Sequence, residues 1–402
     1  MTLTNGVDVI TPWLSEDDCD VNELRTLVAT STELRDYPHA VEVRGNVLVY
    51  DSVQLRLATS AVAARGGKTQ LGLRMLQAEL SRALSDGPGV VVLTGAFDGE
   101  VVDRATVAFD NLIREQRTSG EQFGDHFAAP GSNDRVWNAL EKLALAAPDV
   151  FVDYYANDIL ALISTAWLGP AYQVTSQVNV VNPGCAGQTA HCDYHLGFLD
   201  NETAAEYPIH VHRLSQVLTL QGAVAHCDMP VESGPTRYLP HSQKLLAGYL
   251  AWRRPEFQKF FASEHVQLPL AKGDAVFFNP GLFHAAGSNH TSDVRRMANL
   301  LQISSAFGRA MESVDRAGAA AAVLPALQRR RAEATDDVAL SHAVAAVAEG
   351  YPFPTNLDRD TPVGGRTPQS QADLTWEALQ GDWTTERFEE ALRAHAVRRR
   401  TR

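Results

Sequence analysis

The spacing of apolar residues predicts helices in the first part of the chain. LGLRMLQAELSRAL (71–84) and DGEVVDRATVAFDNLIREQ (98–116) carry apolar residues at helical spacing, the second with acids in its first turn. VWNALEKLALAA and FVDYYANDILALISTAWLG predict further helices. Short strands are also expected here, two around the Gly-Asn turn of VEVRGNVLVY and a buried one in VVVLTGAF.

From Tyr172 the pattern changes to short segments rich in Val, Leu, Phe, Thr and Gln, separated by turn residues. Examples are YQVTSQVNVVNP, SQVLTLQGAVA, DAVFFNP and RRMANLLQISSAF. Such segments are typical of a mostly antiparallel β sandwich or barrel. One helical stretch, SQKLLAGYLAWRRPEFQKFFA, interrupts them. The pattern therefore predicts a β core at the centre of the chain.

After Phe307 the chain becomes helical again. VDRAGAAAAVLPALQRRRAEA and DVALSHAVAAVAEG are rich in alanine, which favours helix. A capping box from Ser370 to Asp373 opens another helix, and TERFEEALRAHAV has an amphipathic pattern. We predict one domain over residues 1–402, with a mostly helical N-terminal part (1–170), a β core (171–307) and a helical C-terminal extension (308–402).

Charge argues against polyanionic partners. Among 402 residues, 35 Lys and Arg face 48 Asp and Glu, which leaves a formal net charge of −13. A net acidic surface repels phosphate backbones, so nucleic acid is not an expected partner. No apolar run is long enough to span a bilayer, and the first residues lack the pattern of a signal peptide. Four cysteines without a CxxC pair fit a reducing compartment, so we expect a cytoplasmic protein.

The tripeptide HCD occurs twice, as His191-Cys192-Asp193 and as His226-Cys227-Asp228. In a strand, residues i and i+2 point to the same face, so the His and the Asp of either copy could bind one metal ion. The pattern alone is weak evidence, because about one His-x-acid triplet is expected by chance in a chain with 13 histidines. A surface or hydrogen-bonded histidine is the ordinary alternative for each copy.

Sequence context separates the two copies. Polar and aromatic residues follow the first copy, whereas the second ends the strand LTLQGAVA, where Asp228 is placed to cap a turn. A facial triad of two histidines and one carboxylate needs a distant second histidine, and His284 follows the predicted strand DAVFFNP. His290, in the next loop, is expected to face solvent.

Together these motifs resemble the phytanoyl-CoA dioxygenase family of Fe(II)/2-oxoglutarate oxygenases, over about residues 90 to 307. The family pattern is H-x-D, a strand ending in an acid, a Gly turn leading to P-x-S-H, then G-D-x-x-x-F, a second His and an Arg about eleven residues later. The matches are His191, Asp193, Asp228, Gly234, Pro240, Ser242, Gly273, Asp274, Phe278, His284 and Arg295. At P-x-S-H this chain reads Pro-His-Ser-Gln, which puts the local turn in doubt.

The resemblance implies a double-stranded β-helix, the jelly-roll barrel of cupin-like proteins, with helical N- and C-terminal additions. It also implies Fe(II) bound by His191, Asp193 and His284, with 2-oxoglutarate and O2 as co-substrates and with succinate and CO2 released. An arginine would bind the far carboxylate of 2-oxoglutarate. Arg295 and Arg296 are adjacent, so only one of them can face inward from a strand, and the spacing from His284 (295 − 284 = 11) favours Arg295.

Five further residues are candidates for contacts with small molecules. Gln177 and Asn179 share a strand face and could hydrogen-bond the co-substrate, although a polar pair satisfied within the barrel is an equal alternative. Tyr194, His195 and Arg237 are candidate substrate contacts, and His195 could instead support a metal ligand.

The predicted activity is hydroxylation of an unactivated C–H bond of a small molecule. Halogenating relatives have Gly or Ala at the position of Asp193, where chloride then binds, so the carboxylate favours hydroxylation. Two alternatives stay open: the same site could carry out desaturation, cyclisation or epimerisation, or the chain could be a β-barrel metal- or ligand-binding protein without turnover.

Overall fold

The structure is a computed structural model, and it describes residues 12–63, 69–119, 133–333, 336–362, 364 and 367–401. Its strands are β1 Glu42–Arg44, β2 Val47–Asp51, β3 Val90–Thr94, β4 Asn133–Val136, β5 Gln173–Val181, β6 Thr219–Ala225, β7 Arg237–Tyr238, β8 Val266–Gln267, β9 Ala275–Phe278, β10 His284–Ala285 and β11 Arg296–Ser304.

Two sheets form the β core. Within the described residues the larger sheet has eight strands in the order β1-β2-β3-β9-β6-β11-β5-β4, and the smaller has the order β10-β7-β8. All pairs are antiparallel except β2 with β3. The expected mainly β core of jelly-roll type is confirmed. Four strands of its larger sheet, including the predicted β1, β2 and β3, precede residue 171.

Helices surround this core. They are α1 Val21–Val28, α2 Ser52–Ala63, α3 Thr69–Ser85, α4 Gly99–Ser119, α5 Ala139–Ala146, α6 Pro148–Tyr155, α7 Asp158–Leu168, α8 Asn201–Ala205, α9 Ile209–Val217, α10 Gly248–Ala251, α11 Pro255–Glu264, α12 Arg316–Ala332, α13 Asp337–Val347, α14 Gln371–Gln380 and α15 Thr385–Arg399. Among the described residues, no helix has the combination of length and apolar character that a bilayer crossing requires.

Local signals explain where predicted helices divide. The predicted helix over residues 151–169 is two helices, because Asn157 accepts a hydrogen bond from the backbone N–H of Leu160 (2.8 Å) and starts α7 anew. Pro255 similarly opens α11 as its first residue, which divides the stretch that follows Ser242. The capping box of Ser370 and Asp373 is present at the start of α14.

Strand β11 shows how the sheet separates two environments. Met297, Leu301 and Ile303 belong to the large apolar cluster shared with the surrounding helices. Residues 296, 298, 300 and 302 alternate with them and line a cavity between the two sheets. This alternation follows from the two-residue period of a strand, and it decides which side chains can reach a ligand.

The C-terminal extension packs into the same apolar cluster as the barrel. Leu324 and Leu327 of α12 are fully buried within it. The Arg316 guanidinium donates to the carbonyl oxygen of Val174 in β5 (2.9 Å) and to that of Ala346 in α13 (3.1 Å). The extension is therefore bonded to a strand that carries cavity residues.

The second HCD copy is structural. The His226 imidazole hydrogen-bonds the Tyr154 hydroxyl through Nε2 (3.0 Å) and the Thr106 hydroxyl through Nδ1 (2.8 Å), which joins the end of β6 to helices α6 and α4. Burial lowers the pKa of His226 to about 3. Asp228 accepts a hydrogen bond from the backbone N–H of Lys272 (2.9 Å), in agreement with its predicted place at a turn.

A His226→Gln variant should be less stable than the wild-type protein at pH 7.5, and this difference should shrink as the pH falls. The unfolded chain takes up a proton at His226 below its ordinary pKa of 6.5, whereas the folded protein does so only near pH 3. The free energy of unfolding of the wild-type protein therefore decreases as the pH is lowered, by about 2 kcal/mol between pH 7.5 and pH 5. Glutamine does not titrate, so the variant lacks this contribution. Urea unfolding of both proteins from pH 7.5 to 5 measures the difference, and a constant difference would contradict a buried neutral His226.

Candidate metal centre

Three side chains from two distant parts of the chain meet between the two sheets. One potential ligand atom from each of His191, Asp193 and His284 lies within 4.8 Å of the others. The imidazole centroids of His191 and His284 are 4.4 Å apart, and Nε2 of His284 lies 4.0 Å from Oδ2 of Asp193. Two imidazole nitrogens and one carboxylate oxygen are the donor set of a facial Fe(II) site, so the residues fit this metal.

Backbone pairing brings these residues together. His191 and His284 form an antiparallel bridge, in which each backbone N–H donates to the other residue's carbonyl oxygen (2.9 and 3.0 Å). The Asp193 N–H donates to the carbonyl oxygen of Pro280 (3.0 Å). The bridge therefore sets the separation of the two histidines independently of any metal.

Hydrogen bonds to the backbone also orient both imidazole rings. Nδ1 of His191 donates to the carbonyl oxygen of Thr189 (3.0 Å), and Nδ1 of His284 donates to that of Leu282 (2.9 Å). This pattern selects the tautomer whose Nε2 lone pair can bind a metal. Burial, followed by the nearby His191, lowers the pKa of His284, which favours the neutral form that coordination needs.

Gln221 orients the carboxylate. Its Nε2 donates to Oδ2 of Asp193 (2.7 Å), the same oxygen that faces His284. Gln221 belongs to β6, the strand that ends in the second HCD copy. The sequence analysis did not single out Gln221. Its position two residues before Ala223 on the same strand face indicates that it points inward, but this position does not say which residue it contacts.

The altered P-x-S-H segment keeps a supporting role. His241 takes a left-handed backbone conformation (φ 71°), as the glycine usual at this position could do without strain. The Ser242 hydroxyl accepts from the backbone N–H of Phe283 (2.8 Å), the residue before His284. Gln243 donates to the carbonyl oxygen of Gly87 (3.0 Å). The departure from the family pattern therefore leaves the support of the His284 strand intact.

The three candidate ligands open into a cavity of about 530 Å³. That volume lies in the range of small-molecule sites. The cavity is lined mainly by apolar side chains from both sheets, with a smaller polar set consisting of Arg135, Gln177, Asn179, Gln188, Gln221, Thr236, Arg296 and Gln302.

The prediction that Arg295 faces inward is wrong. Its guanidinium lies on the opposite face, where it pairs with Asp110 of α4 (2.8 Å) and lies 3.9 Å from Asp134. Arg296 lines the cavity instead and is 6% exposed. The spacing from His284 is therefore twelve residues (296 − 284 = 12), since the strand's alternation places residue 296 with the inward-facing 298, 300 and 302.

Gln177 and Asn179 both line the cavity, as their shared strand face predicts. Gln177 accepts a hydrogen bond from Arg135 (3.1 Å) and lies near the Met311 sulfur (3.7 Å). Asn179 is opposite Ala298 in the sheet.

The three candidate substrate contacts lie outside the described lining of the cavity. The Tyr194 hydroxyl is paired with the Ser304 hydroxyl (2.9 Å) and the carbonyl oxygen of Arg309 (3.0 Å). Arg237 donates to the carbonyl oxygen of Gln188 (2.5 Å), and His195 is half-buried beside Tyr194. Their role as substrate contacts stays a prediction. His290 is exposed, as expected.

The family model of phytanoyl-CoA dioxygenase (PhyH) matches residues 85–297. No curated protein matches the sequence.

Similar solved structures include AviO1 from Streptomyces viridochromogenes Tue57 (18% identity, 57% of this chain and 95% of that one, TM-score 0.43). Another is SnoK, a non-heme α-ketoglutarate-dependent carbocyclase from nogalamycin biosynthesis (18% identity, 56% and 83%, TM-score 0.40). A third is HygX from Streptomyces hygroscopicus with nickel, 2-oxoglutarate and hygromycin B bound (15% identity, 58% and 90%, TM-score 0.41).

At these TM-scores the structural similarities carry no argument about the reaction or its substrate. The family match covers more than half of the chain and contains all three candidate ligands and Arg296. The chain therefore belongs to the phytanoyl-CoA dioxygenase family, whose members are Fe(II)/2-oxoglutarate-dependent enzymes with O2 as co-substrate.

Proposed function

We propose that this enzyme hydroxylates an unactivated C–H bond of a small molecule, with release of succinate and CO2. The observation that carries the proposal is the convergence of His191, Asp193 and His284 in the wall of a mainly apolar cavity. When bound there, Fe(II) with 2-oxoglutarate and O2 supplies the oxidising chemistry. The protein's own residues bind, orient and shield the reactants.

Asp193 supports hydroxylation over halogenation. Its carboxylate is present and oriented by Gln221, so it would hold the metal position that chloride takes in halogenating relatives. Gln221 is then a positioning residue: its amide N–H leaves Asp193 one preferred orientation and stabilises the charged carboxylate.

Arg296 would bind the far carboxylate of 2-oxoglutarate. Burial lowers its pKa to about 10, which still leaves the guanidinium charged at neutral pH. Nη1 lies 3.4 Å from the carbonyl oxygen of Gly287, on the segment that follows the His284 strand. A planar, charged donor next to that segment suits a carboxylate attached to a metal-bound ligand. Asn179, from the neighbouring strand, is a further candidate contact.

We also propose that the enzyme's partner is a small molecule and that it does not bind nucleic acid. The net charge of −13 disfavours nucleic acid, and the cavity is of a size for a small molecule. All four cysteines are free thiols, which supports the proposed cytoplasmic location.

Metal binding should depend on Asp193 and, to a smaller degree, on Gln221. Anaerobic titration of the protein with Fe(II) and 2-oxoglutarate in chloride-free buffer should produce a weak visible charge-transfer band. Asp193→Ala should lose the band because a ligand is missing. Gln221→Leu should keep it but weaken metal affinity roughly 10-fold, the scale of losing a residue that supports a ligand.

Gln302→Leu is the matched control for metal affinity, because Gln302 lies opposite Gln221 in the sheet and also lines the cavity. Equal weakening in both glutamine variants would remove the specific role of Gln221. Absence of the band in the unmutated protein would contradict the proposed function.

Arg296→Gln should raise the KM for 2-oxoglutarate by about 10- to 100-fold, because a charged hydrogen-bonded pair is lost. Arg295→Gln should change it little, since Arg295 pairs with Asp110 on the other face of the sheet. Both KM values follow from 2-oxoglutarate-dependent O2 consumption. An equal effect of the two substitutions would contradict the inward orientation of Arg296.

The reaction type can be read from the mass of the product. A panel of small metabolites is screened for succinate release, and each positive is analysed by mass spectrometry under 18O2. Hydroxylation adds one labelled oxygen atom, whereas desaturation or ring closure removes two hydrogen atoms and epimerisation leaves the mass unchanged. Either of the latter results would replace hydroxylation while keeping the cofactor assignment.

A further inference from the structure

One row of side chains across the larger sheet contacts the candidate metal ligands and continues beyond them. Phe278 of β9, Gln221 of β6 and Gln302 of β11 are opposite one another in this row. The ring centroid of Phe278 lies 4.6 Å from that of His284, and the Gln221 amide donates to Asp193. Adjacent strands are about 4.8 Å apart, so Gln302 lies one strand beyond a residue that touches a metal ligand. A substrate at the metal is therefore within reach of Gln302.

The side-chain amide of Gln302 is buried without a partner. Gln302 is 8% exposed and lines the cavity. Among the described residues, its Oε1 accepts no hydrogen bond and its Nε2 donates none. An unpaired buried amide destabilises a folded protein, and natural structures contain few of them. A bound molecule can supply the partner that the described residues do not.

The polar side chains next to Gln302 are engaged elsewhere. The Thr175 hydroxyl, opposite on β5, donates to the backbone carbonyl oxygen of Gln302 (3.0 Å). The Ser304 hydroxyl, two residues along β11, is paired with the Tyr194 hydroxyl (2.9 Å). Nε2 of Gln221 donates to the metal-ligand carboxylate, and its Oε1 accepts no hydrogen bond. Two amide oxygens in one row thus lack a donor, and a ligand with a hydrogen-bond donor would satisfy either of them.

The surroundings of this amide favour a neutral donor over a charged one. Leu300 precedes Gln302 on the same strand face, Ala223 is opposite Leu300, and Phe278 lies at the other end of the row. Moving an ammonium group from water to an apolar wall is costly, whereas a hydroxyl needs only a hydrogen-bond partner. A hydroxyl both donates and accepts, so it suits the oxygen and the nitrogen of an amide.

We propose that the substrate is a neutral molecule that carries a hydroxyl group, and that this hydroxyl hydrogen-bonds the side-chain amide of Gln302. This inference rests on the proposed function, because it places the substrate beside His191, Asp193 and His284. Gln302 is then a substrate contact that selects hydroxyl-bearing molecules, whereas Gln221 in the same row supports a metal ligand. The contact holds the hydroxyl-bearing part of the substrate close to the metal.

One measurement needs no substrate. Gln302→Met replaces the unpaired amide by an apolar group of similar size, so the variant should be at least as stable as the unmutated protein. Gln173→Met is the matched control, because the Gln173 amide donates to the carbonyl oxygens of Ser305 and Gly308 (both 2.9 Å) and its loss should lower stability. Urea unfolding of the full chain, loaded anaerobically with Fe(II) and 2-oxoglutarate, gives the midpoints. A lower midpoint for Gln302→Met would identify a structural glutamine and overturn the proposal.

Substrate recognition is tested with matched probes on the same loaded protein. The probes are cyclohexanol, 2-phenylethanol and 3-phenylpropanol, their methyl ethers and the corresponding primary amines. Each methyl ether keeps the apolar body and the oxygen acceptor of its alcohol but lacks the O–H donor. Binding is measured by calorimetry and by the change that each probe causes in the charge-transfer band.

At least one alcohol should bind the unmutated protein about 10-fold or more tightly than its methyl ether, the scale of a hydrogen bond whose loss leaves a buried amide unpaired. Gln302→Leu and Gln302→Met should both remove this preference. Leu300→Met is the matched control and should retain it, because Leu300 lines the cavity on the same strand face without a polar side-chain group.

The proposal is overturned if no alcohol binds more tightly than its ether, if both Gln302 variants keep the preference, or if the amines bind more tightly than the alcohols. It also fails if Gln302→Leu weakens metal affinity as Gln221→Leu does, since Gln302 would then support a metal ligand. A charge-transfer band in the unmutated protein without an alcohol preference would reject the substrate class alone. A missing band would reject the cofactor site itself.

Discussion

The antiparallel bridge between His191 and His284 is the interaction on which the rest of the site depends. It consists of two backbone hydrogen bonds, which hold the backbones of the two histidines next to each other. Each ring is then oriented by its own Nδ1 bond to a carbonyl oxygen two residues earlier. The Asp193 carboxylate has a side-chain partner, Gln221. The site is thus organised chiefly by backbone groups, which cannot be lost by substitution.

The charged side chains of the cavity lie at separate positions. The Asp193 carboxylate lies with two imidazoles at one end, Arg296 lies near the segment that follows His284, and Arg135 lies at the sheet edge. Buried charges are tolerated where a partner or a ligand compensates them.

The two HCD copies show how one tripeptide acquires two roles. In the first copy, His191 pairs with a strand of the smaller sheet and its ring lies at the cavity. In the second, the His226 ring lies among Tyr154 and Thr106 on the helical side of the larger sheet. The residues are the same, but the first copy pairs with the smaller sheet at the cavity and the second ends a strand of the larger sheet among the helices. A histidine with two hydroxyl partners in an apolar layer joins helices to the sheet, whereas a histidine beside a carboxylate and a second imidazole can bind a metal.

Strand period and helix spacing are local properties, so the amino-acid sequence by itself determined a β core of sandwich or barrel type and the surrounding helices. The order of its motifs resembles a known family, and that resemblance supplied the jelly-roll topology and the three candidate ligands. The inward direction of Gln177 and Asn179 also followed from the two-residue period. The choice between Arg295 and Arg296 did not, since it depends on which face of β11 the helices cover, and that is decided by the packing of Met297, Leu301 and Ile303. Only the tertiary structure placed Tyr194 and Arg237 outside the cavity and brought Gln221 and Arg135 into it, because these positions depend on pairing between strands that lie far apart in the chain.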